Sequence, residues 1–132
     1  MTDSLKIKQR LQKCKSKEET FKTLVILSKT LERLSDPDKS DENKIKGCES
    51  AVWLLEYKEG ELSHFKADSD AKLMRGVLVA ILELVNGKSK AQIRAMDLKT
   101  ELAELNLSSY LTTSRTNGVL AILSFIQAHR TH

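Results

Sequence analysis

The chain of 132 residues has little of what breaks or staples a fold: one proline, Pro37, five glycines and two cysteines, Cys14 and Cys48. Each scarcity excludes something. Two thiols cannot supply the four thiolates of an all-cysteine zinc or iron–sulfur site within one chain. The three histidines (His64, His129, His132) add only a His-x-x-His at the C-terminus, so no metal site is expected. No apolar run approaches the ~18 residues of a membrane span; the longest, Val77 to Val85, is broken by Glu83, and no membrane association is expected. The start, Met1 to Lys6, has an acid and no apolar stretch behind its lysines, so it does not read as a signal peptide and the cytoplasm is the expected compartment. Aromatic residues make up only 5%, and the basic residues alternate with acids, as in Lys15 to Glu19. The formal net charge of +4 therefore comes without an arginine patch or stacking platforms, and no nucleic acid partner is expected. No Walker loop, dinucleotide fingerprint or His-Glu-x-x-His occurs.

What is present is a globular composition, 40% hydrophobic and 30% charged, of a length that suits one domain over residues 1–132. Ile7, Leu11 and Cys14 suggest a short first helix. Ser16 to Glu19 reads as a capping box, and Phe21, Leu24, Leu27, Leu31 and Leu34 recur every three or four residues behind it, predicting a second helix that stops at Ser35 to Asp38. Asp38 to Lys46 reads as an exposed loop. Ala51 to Tyr57 and Leu62 to Ala67, joined by Lys58 to Glu61, predict a β-hairpin, with a third strand considered just before Gly47. A helix over Leu73, Val77, Ile81 and Leu84 ends at Asn86-Gly87. Ser89 to Gln92 forms a second capping box before short helices over Ala91 to Met96 and Lys99 to Leu105, and a last helix runs from near Ser114 to Ile126. The order predicts an α+β fold, a small antiparallel β-sheet with helices packed on one face.

Chemistry is sought first at Cys48. Gly47 permits a sharp turn before it, and Lys44 and Lys46 stand near enough in sequence to favour the nucleophilic thiolate. The competing reading is a cysteine that fills core space. Cys14 reads as a small hydrophobe; a Cys14–Cys48 resolving pair would need Cα atoms within ~7 Å. Asp68 and Asp70 fall at a strand-to-helix junction, where Ser69 or Asp70 suits capping. Arg75 could pair with either carboxylate, meet a partner, or stand solvated. Gly76 inside a helix costs about 1 kcal/mol relative to alanine, so something should pack closely there. Ser114 is a candidate N-cap, and Arg115 is either a surface cation or aimed at a site shared with the Cys48 loop.

Several segments then fall together in order: Gly47-Cys48-Glu49-Ser50-Ala51-Val52-Trp53-Leu54, Ala67-Asp68-Ser69-Asp70-Ala71, Arg75-Gly76-Val77-Leu78, Leu105-Asn106-Leu107, and Leu111-Thr112-Thr113-Ser114-Arg115-Thr116-Asn117-Gly118. The set resembles the SufE/CsdE family of sulfur-acceptor proteins along almost the whole chain. Tyr110 stands where many members have His or Gln, Thr113 where Pro is frequent, and Val119 where Leu is usual. The resemblance implies a SufE/IscU-like fold. It implies that Cys48 takes sulfane sulfur, as a persulfide, from a pyridoxal-phosphate-dependent cysteine desulfurase of the SufS or CsdA type. The chain would stimulate that enzyme, and pass sulfur to a scaffold or another acceptor in iron–sulfur cluster assembly. Gly47, Glu49, Asp68, Asp70, Arg75 and Arg115 would lie near the site or the partner interface. The pyridoxal cofactor would belong to the partner, and this chain would bind none and act as a carrier rather than an enzyme. The alternative is a peroxidase-like thiol redox enzyme using Cys48 with Cys14 as the resolving thiol.

Overall fold

A computed structural model describes residues 3–128, with side chains from residue 7 onward. His129 and His132 lie outside them. The elements are α1 (Asp3–Gln12), α2 (Lys17–Ser28), β1 (Val52–Glu59), β2 (Leu62–Ser69), α3 (Lys72–Val85), β3 (Lys88–Ser89), α4 (Lys90–Ala95), α5 (Leu98–Ala103) and α6 (Thr113–Gln127). The α+β class holds, with β1, β2 and β3 forming an antiparallel sheet in that order.

The hairpin follows from sequence. Lys58 to Glu61 turn through Gly60 at φ +62°, a left-handed value that glycine adopts without a Cβ penalty. Trp53 then pairs with Asp68, and Glu59 with Leu62. Leu54, Phe65 and Ala67 are buried beneath the helices. The amphipathic α3 supplies Val77, Leu78 and Ile81 to the core, where they share one buried cluster with Leu11, Leu24, Ile122 and Ile126. Gly76 lies where α2 crosses α3. A Cβ there would sit 2.2 Å from the Leu24 carbonyl oxygen, which is the close approach its helical position implied.

Four local expectations change. The second helix stops at Ser28, six residues before Leu34, because Ser28 and Thr30 hydroxyls donate to the Val25 and Leu27 carbonyls at 2.6 and 2.7 Å and the next turn tightens. Leu34 still enters the core from the loop, at 7% exposure. The loop before Gly47 holds two 3-10 turns, Asp36–Asp38 and Asp41–Asn43, with Ile45 buried. It meets the sheet only at a bridge between Lys44 and Trp53; the third strand is Lys88–Ser89, on the far side of β2. There the Asn86 side chain accepts from Phe65 N–H at 2.7 Å and donates to its carbonyl at 3.3 Å. The last helix starts one residue early, at Thr113, so Ser114 is not its N-cap. The second capping box forms as read, between Ser89 and Gln92.

Candidate functional site

Cys48 sits where the irregular chain enters β1. Gly47 has φ +91°, so the backbone reverses immediately before the cysteine in a conformation other residues enter at a cost. The half-buried Sγ lies 3.5 Å from the Gly118 carbonyl of α6. Gly118 packs closely against it: a Cβ there would stand 3.2 Å from Cys48 Cα and 3.3 Å from its Sγ, a tight contact.

The chain just after the thiol is tied down at two points. The exposed Glu49 accepts a hydrogen bond from the Ser114 hydroxyl in the first turn of α6. Two residues further on, Ala51 N–H donates to Asp70 Oδ1 at 3.1 Å, linking the loop to the α3 entry. Beneath the loop lies a cavity of about 280 Å³, lined by Cys48, Ala71, Met74, Tyr110, Arg115 and Gly118 among others. Arg115 lies over the Tyr110 ring, 4.8 Å from its centroid, and donates to the Tyr110 carbonyl at 3.3 Å. Arg115 thus lines the same cavity as Cys48.

The electrostatics differ from expectation. Burial pushes the Cys48 thiol up from its ordinary value, and no lysine offsets it. Lys44 and Lys46 are exposed, so their proximity in sequence does not become proximity to sulfur. Burial therefore favours the neutral thiol of Cys48 over its thiolate.

The acidic pair divides. Asp68 is fully buried and structural. It accepts one bifurcated hydrogen bond from Arg33 Nε, at 2.8 and 2.9 Å to its two oxygens, one from Leu34 N–H at 3.1 Å and one from Ser69 N–H at 2.8 Å, with Lys39 Nζ 3.4 Å away. Burial raises its pKa, but these donors outweigh burial and hold the carboxyl below the usual aspartate range. Asp70 binds Ala51 instead of capping α3, whose cap is Ala71 with no side-chain bond. Arg75 pairs with neither; its guanidinium donates to the Ser69 carbonyl at 2.9 Å. Arg33 and Lys39 were not singled out in the sequence, because the partners of Asp68 lie 35 and 29 residues upstream with no local pattern to announce them.

Cys14 lies elsewhere among its contacts, 3.4 Å from the Arg10 carbonyl and 3.3 Å from Thr23 Oγ1. Both cysteines are free thiols. His64 stacks on Tyr57 with centroids 5.3 Å apart, as a strand histidine. Among the described residues no group of three or more His, Cys, Asp or Glu could hold a metal ion, and no helix is long and apolar enough to cross a membrane.

A three-stranded sheet, a helical layer and one half-sheltered thiol over a small cavity define a thiol-presenting α+β protein. The chain belongs to the SufE family, an Fe-S metabolism associated domain whose profile it matches over residues 5–130. It is 35% identical over 112 residues to the sulfur acceptor protein CsdE of Escherichia coli K12, covering 84% of this chain and 76% of that one. It is 30% identical over 114 residues to an uncharacterized SufE-like protein of Rhizobium etli, covering 83% and 77%. The solution structure of a hypothetical protein from Thermus thermophilus superposes with a TM-score of 0.74, covering 96% of this chain and 93% of that one; at 14% identity it supports the fold alone.

Proposed function

We propose that this protein is a sulfur acceptor of iron–sulfur metabolism that carries sulfane sulfur as a persulfide on Cys48. The observation that carries the reading is the placement of Cys48: on a glycine turn, half-buried, over a cavity with room beyond its sulfur. Membership of the SufE family and the likeness to a protein named a sulfur acceptor support the same reading.

The donor is a cysteine desulfurase of the SufS or CsdA type, whose pyridoxal cofactor stays with it. Cys48 gives up its proton and its thiolate attacks the outer sulfur of the donor's persulfide. A new S–S bond forms on Cys48, the donor's S–S bond breaks, and the donor cysteine leaves as a thiolate that takes up a proton. No net oxidation occurs, so no external oxidant is needed. Clearing the donor's cysteine speeds its next turnover. An acceptor thiol in cluster assembly then repeats the exchange on the Cys48 persulfide. Burial disfavours the thiolate, and in this reading the loop opens to expose Cys48, with the ties at Glu49 and Asp70 giving way. The peroxidase-like alternative lacks comparable support, since no contact among the described residues joins Cys14 to Cys48.

Intact mass tests the reading. After incubation with desulfurase and cysteine, wild type should gain one sulfur, lost on adding reductant, and Cys48→Ser should gain none. Equal gain by Cys48→Ser, or no gain with desulfurases of either type, overturns it.

A further inference from the structure

The positive charge of the chain is concentrated in one place. From Leu5 to Lys17 stand six cations, Lys6, Lys8, Arg10, Lys13, Lys15 and Lys17, and no acid. All 18 acids lie elsewhere with the other 16 of the 22 cations, so the rest of the chain carries −2 and this segment alone makes the total +4. The segment is α1 and its turn into α2. Lys8 is spent on Glu104 at 2.7 Å. Arg10, Lys13, Lys15 and Lys17 are exposed, and none of them is ion-paired with a described residue. Lys17 stands in the first turn of α2, where the helix dipole disfavours a cation. The corner beneath these side chains is held rigid. Asn106, at φ +60°, donates from its carboxamide to the Leu11 and Cys14 carbonyls at 2.9 and 3.0 Å and closes the end of α1. Ser16 Oγ accepts from Glu19 N–H at 3.1 Å, and the Glu19 carboxylate accepts from Lys15 N–H at 2.8 Å, which commits Glu19 to the backbone. The backbone that presents the lysines is therefore already ordered, and a partner need not order it.

The corner is continuous with the Cys48 cavity. Lys17 Nζ lies over the Phe21 ring, 5.5 Å from its centroid, and Phe21 meets Tyr110 edge-on at 6.4 Å between centroids. Tyr110 lines the cavity, where Lys72 and Arg115 continue the positive sign against the one acid, Glu49. We propose that Lys13, Lys15 and Lys17, with Arg10 in the last turn of α1, form the docking surface for an acidic patch beside the reactive cysteine of the sulfur donor, and steer that desulfurase onto Cys48. This rests on the reading of Cys48 as the sulfur carrier. Sulfur exchange needs two cysteines on two macromolecules brought together in one orientation. Charge of one sign beside a site speeds that encounter and fixes its orientation more than it adds holding strength. An acidic protein fits the corner better than a nucleic acid does. Its charge is lysine with a single arginine, and the Phe21 ring is taken up by Lys17 and Tyr110, so it is not free to stack a base.

The test varies charge and salt together. Lys15→Gln/Lys17→Gln removes two charges from the corner. Lys29→Gln/Lys58→Gln removes two exposed charges from the other end of α2 and from β1, so net charge changes equally. Turnover of a SufS-type or CsdA-type desulfurase on cysteine is measured against the concentration of this protein, from roughly 0.05 to 0.5 M salt. The corner variant should raise the KM for this protein about tenfold at low salt with kcat unchanged, and the difference should close at high salt. The Lys29/Lys58 variant should stay within about twofold of wild type. Alkylation of Cys48 by the uncharged reagent iodoacetamide, followed on the Cys48 peptide, needs no docking and should be equal in all three proteins. Tm should not fall in the corner variant, since Lys17 opposes the α2 dipole. An unmoved KM, an equal rise in both variants, or a fall in kcat at constant KM overturns the proposal. So does slower alkylation in the corner variant, which would mean a disturbed site, and so does low-salt RNA binding that this variant loses while its KM holds. If neither desulfurase adds sulfur to Cys48, the sulfur-acceptor reading fails and the docking surface with it; sulfur gain with an unmoved KM removes the docking surface alone.

Discussion

Asp68 offers the sharpest test of the energetics. Asp68→Asn keeps the shape but replaces one carboxylate oxygen with an NH₂ group. Leu34 N–H and Arg33 Nε, which both reach Asp68 Oδ2, must then share a single neutral acceptor or face a donor. Hydrogen bonds to a charged group contribute ~1.5–3 kcal/mol each, and a buried N–H left unpaired costs ~1–3 kcal/mol. Arg33 is half exposed, and water takes over part of its loss. A net cost of about 3 kcal/mol follows. At ~2.1 cal/mol/K per residue, unfolding a chain of this length has an entropy near 0.28 kcal/mol/K, so Tm should fall by about 11 °C. The pH dependence has a definite sign. The folded carboxyl is held below the ordinary aspartate value, so its contribution is complete above that value and lost as pH falls through the folded one. The gap between wild type and Asp68→Asn should stay constant from pH 8 to pH 5 and shrink below about 4. Thermal unfolding followed by circular dichroism measures both. A Tm within 2 °C of wild type, or a gap that widens in acid, would refute the argument. So would loss of sulfur acceptance at unchanged stability, which would make Asp68 a functional rather than a structural residue.

Three further outcomes are expected. Gly76→Ala gains about 1 kcal/mol of helix propensity but drives a methyl into the Leu24 backbone, which cannot rotate away; a net loss of ~2 kcal/mol in urea unfolding is expected, and a stabilised variant would contradict the close crossing. Cys48 should alkylate more slowly than an unhindered cysteine at neutral pH, with its rate rising through a pH above the ordinary thiol range, because burial raises its pKa; a midpoint below that range would mean a stabilised resting thiolate. Ser114→Ala frees Glu49, and a hydrogen bond of ~1 kcal/mol at this exposed position corresponds to an alkylation rate about fivefold higher at Cys48, with Tm almost unchanged.

The sequence made the architecture legible wherever a local pattern decides it. The 3.6-residue period of α3, the Gly60 hairpin turn, the Ser89–Gln92 box and the Gly76 crossing were all readable because neighbours within a turn or two carry the signal. The end of α2 was not, since hydroxyl groups at Ser28 and Thr30 overrode an apolar spacing that still delivers Leu34 to the core. The site was legible in kind but not in detail. Cys48 stood out through Gly47, but its environment is made by Gly118 and Tyr110, far along the chain. Arg75 and Asp68 looked like partners by proximity in sequence, whereas Asp68 takes Arg33 and Lys39 from the loop packed beside it. Lys44 and Lys46 looked like thiolate stabilisers and point into solvent. Charge pairing is settled by which loops meet in space, and no periodicity records that.

The way the sheet ends has a consequence for how copies of the protein behave in a crowd. A free strand edge offers a row of backbone donors and acceptors on which another chain can extend the sheet. On the far side of β2 that row is interrupted at once: Gly87 N–H takes the Ser63 carbonyl, and the Asn86 carboxamide takes both groups of Phe65. A side-chain amide imitates one residue of a strand and goes no further. An incoming strand would have to evict it before making its first bonds, so a sheet of only three strands resists being lengthened from this edge by its own neighbours.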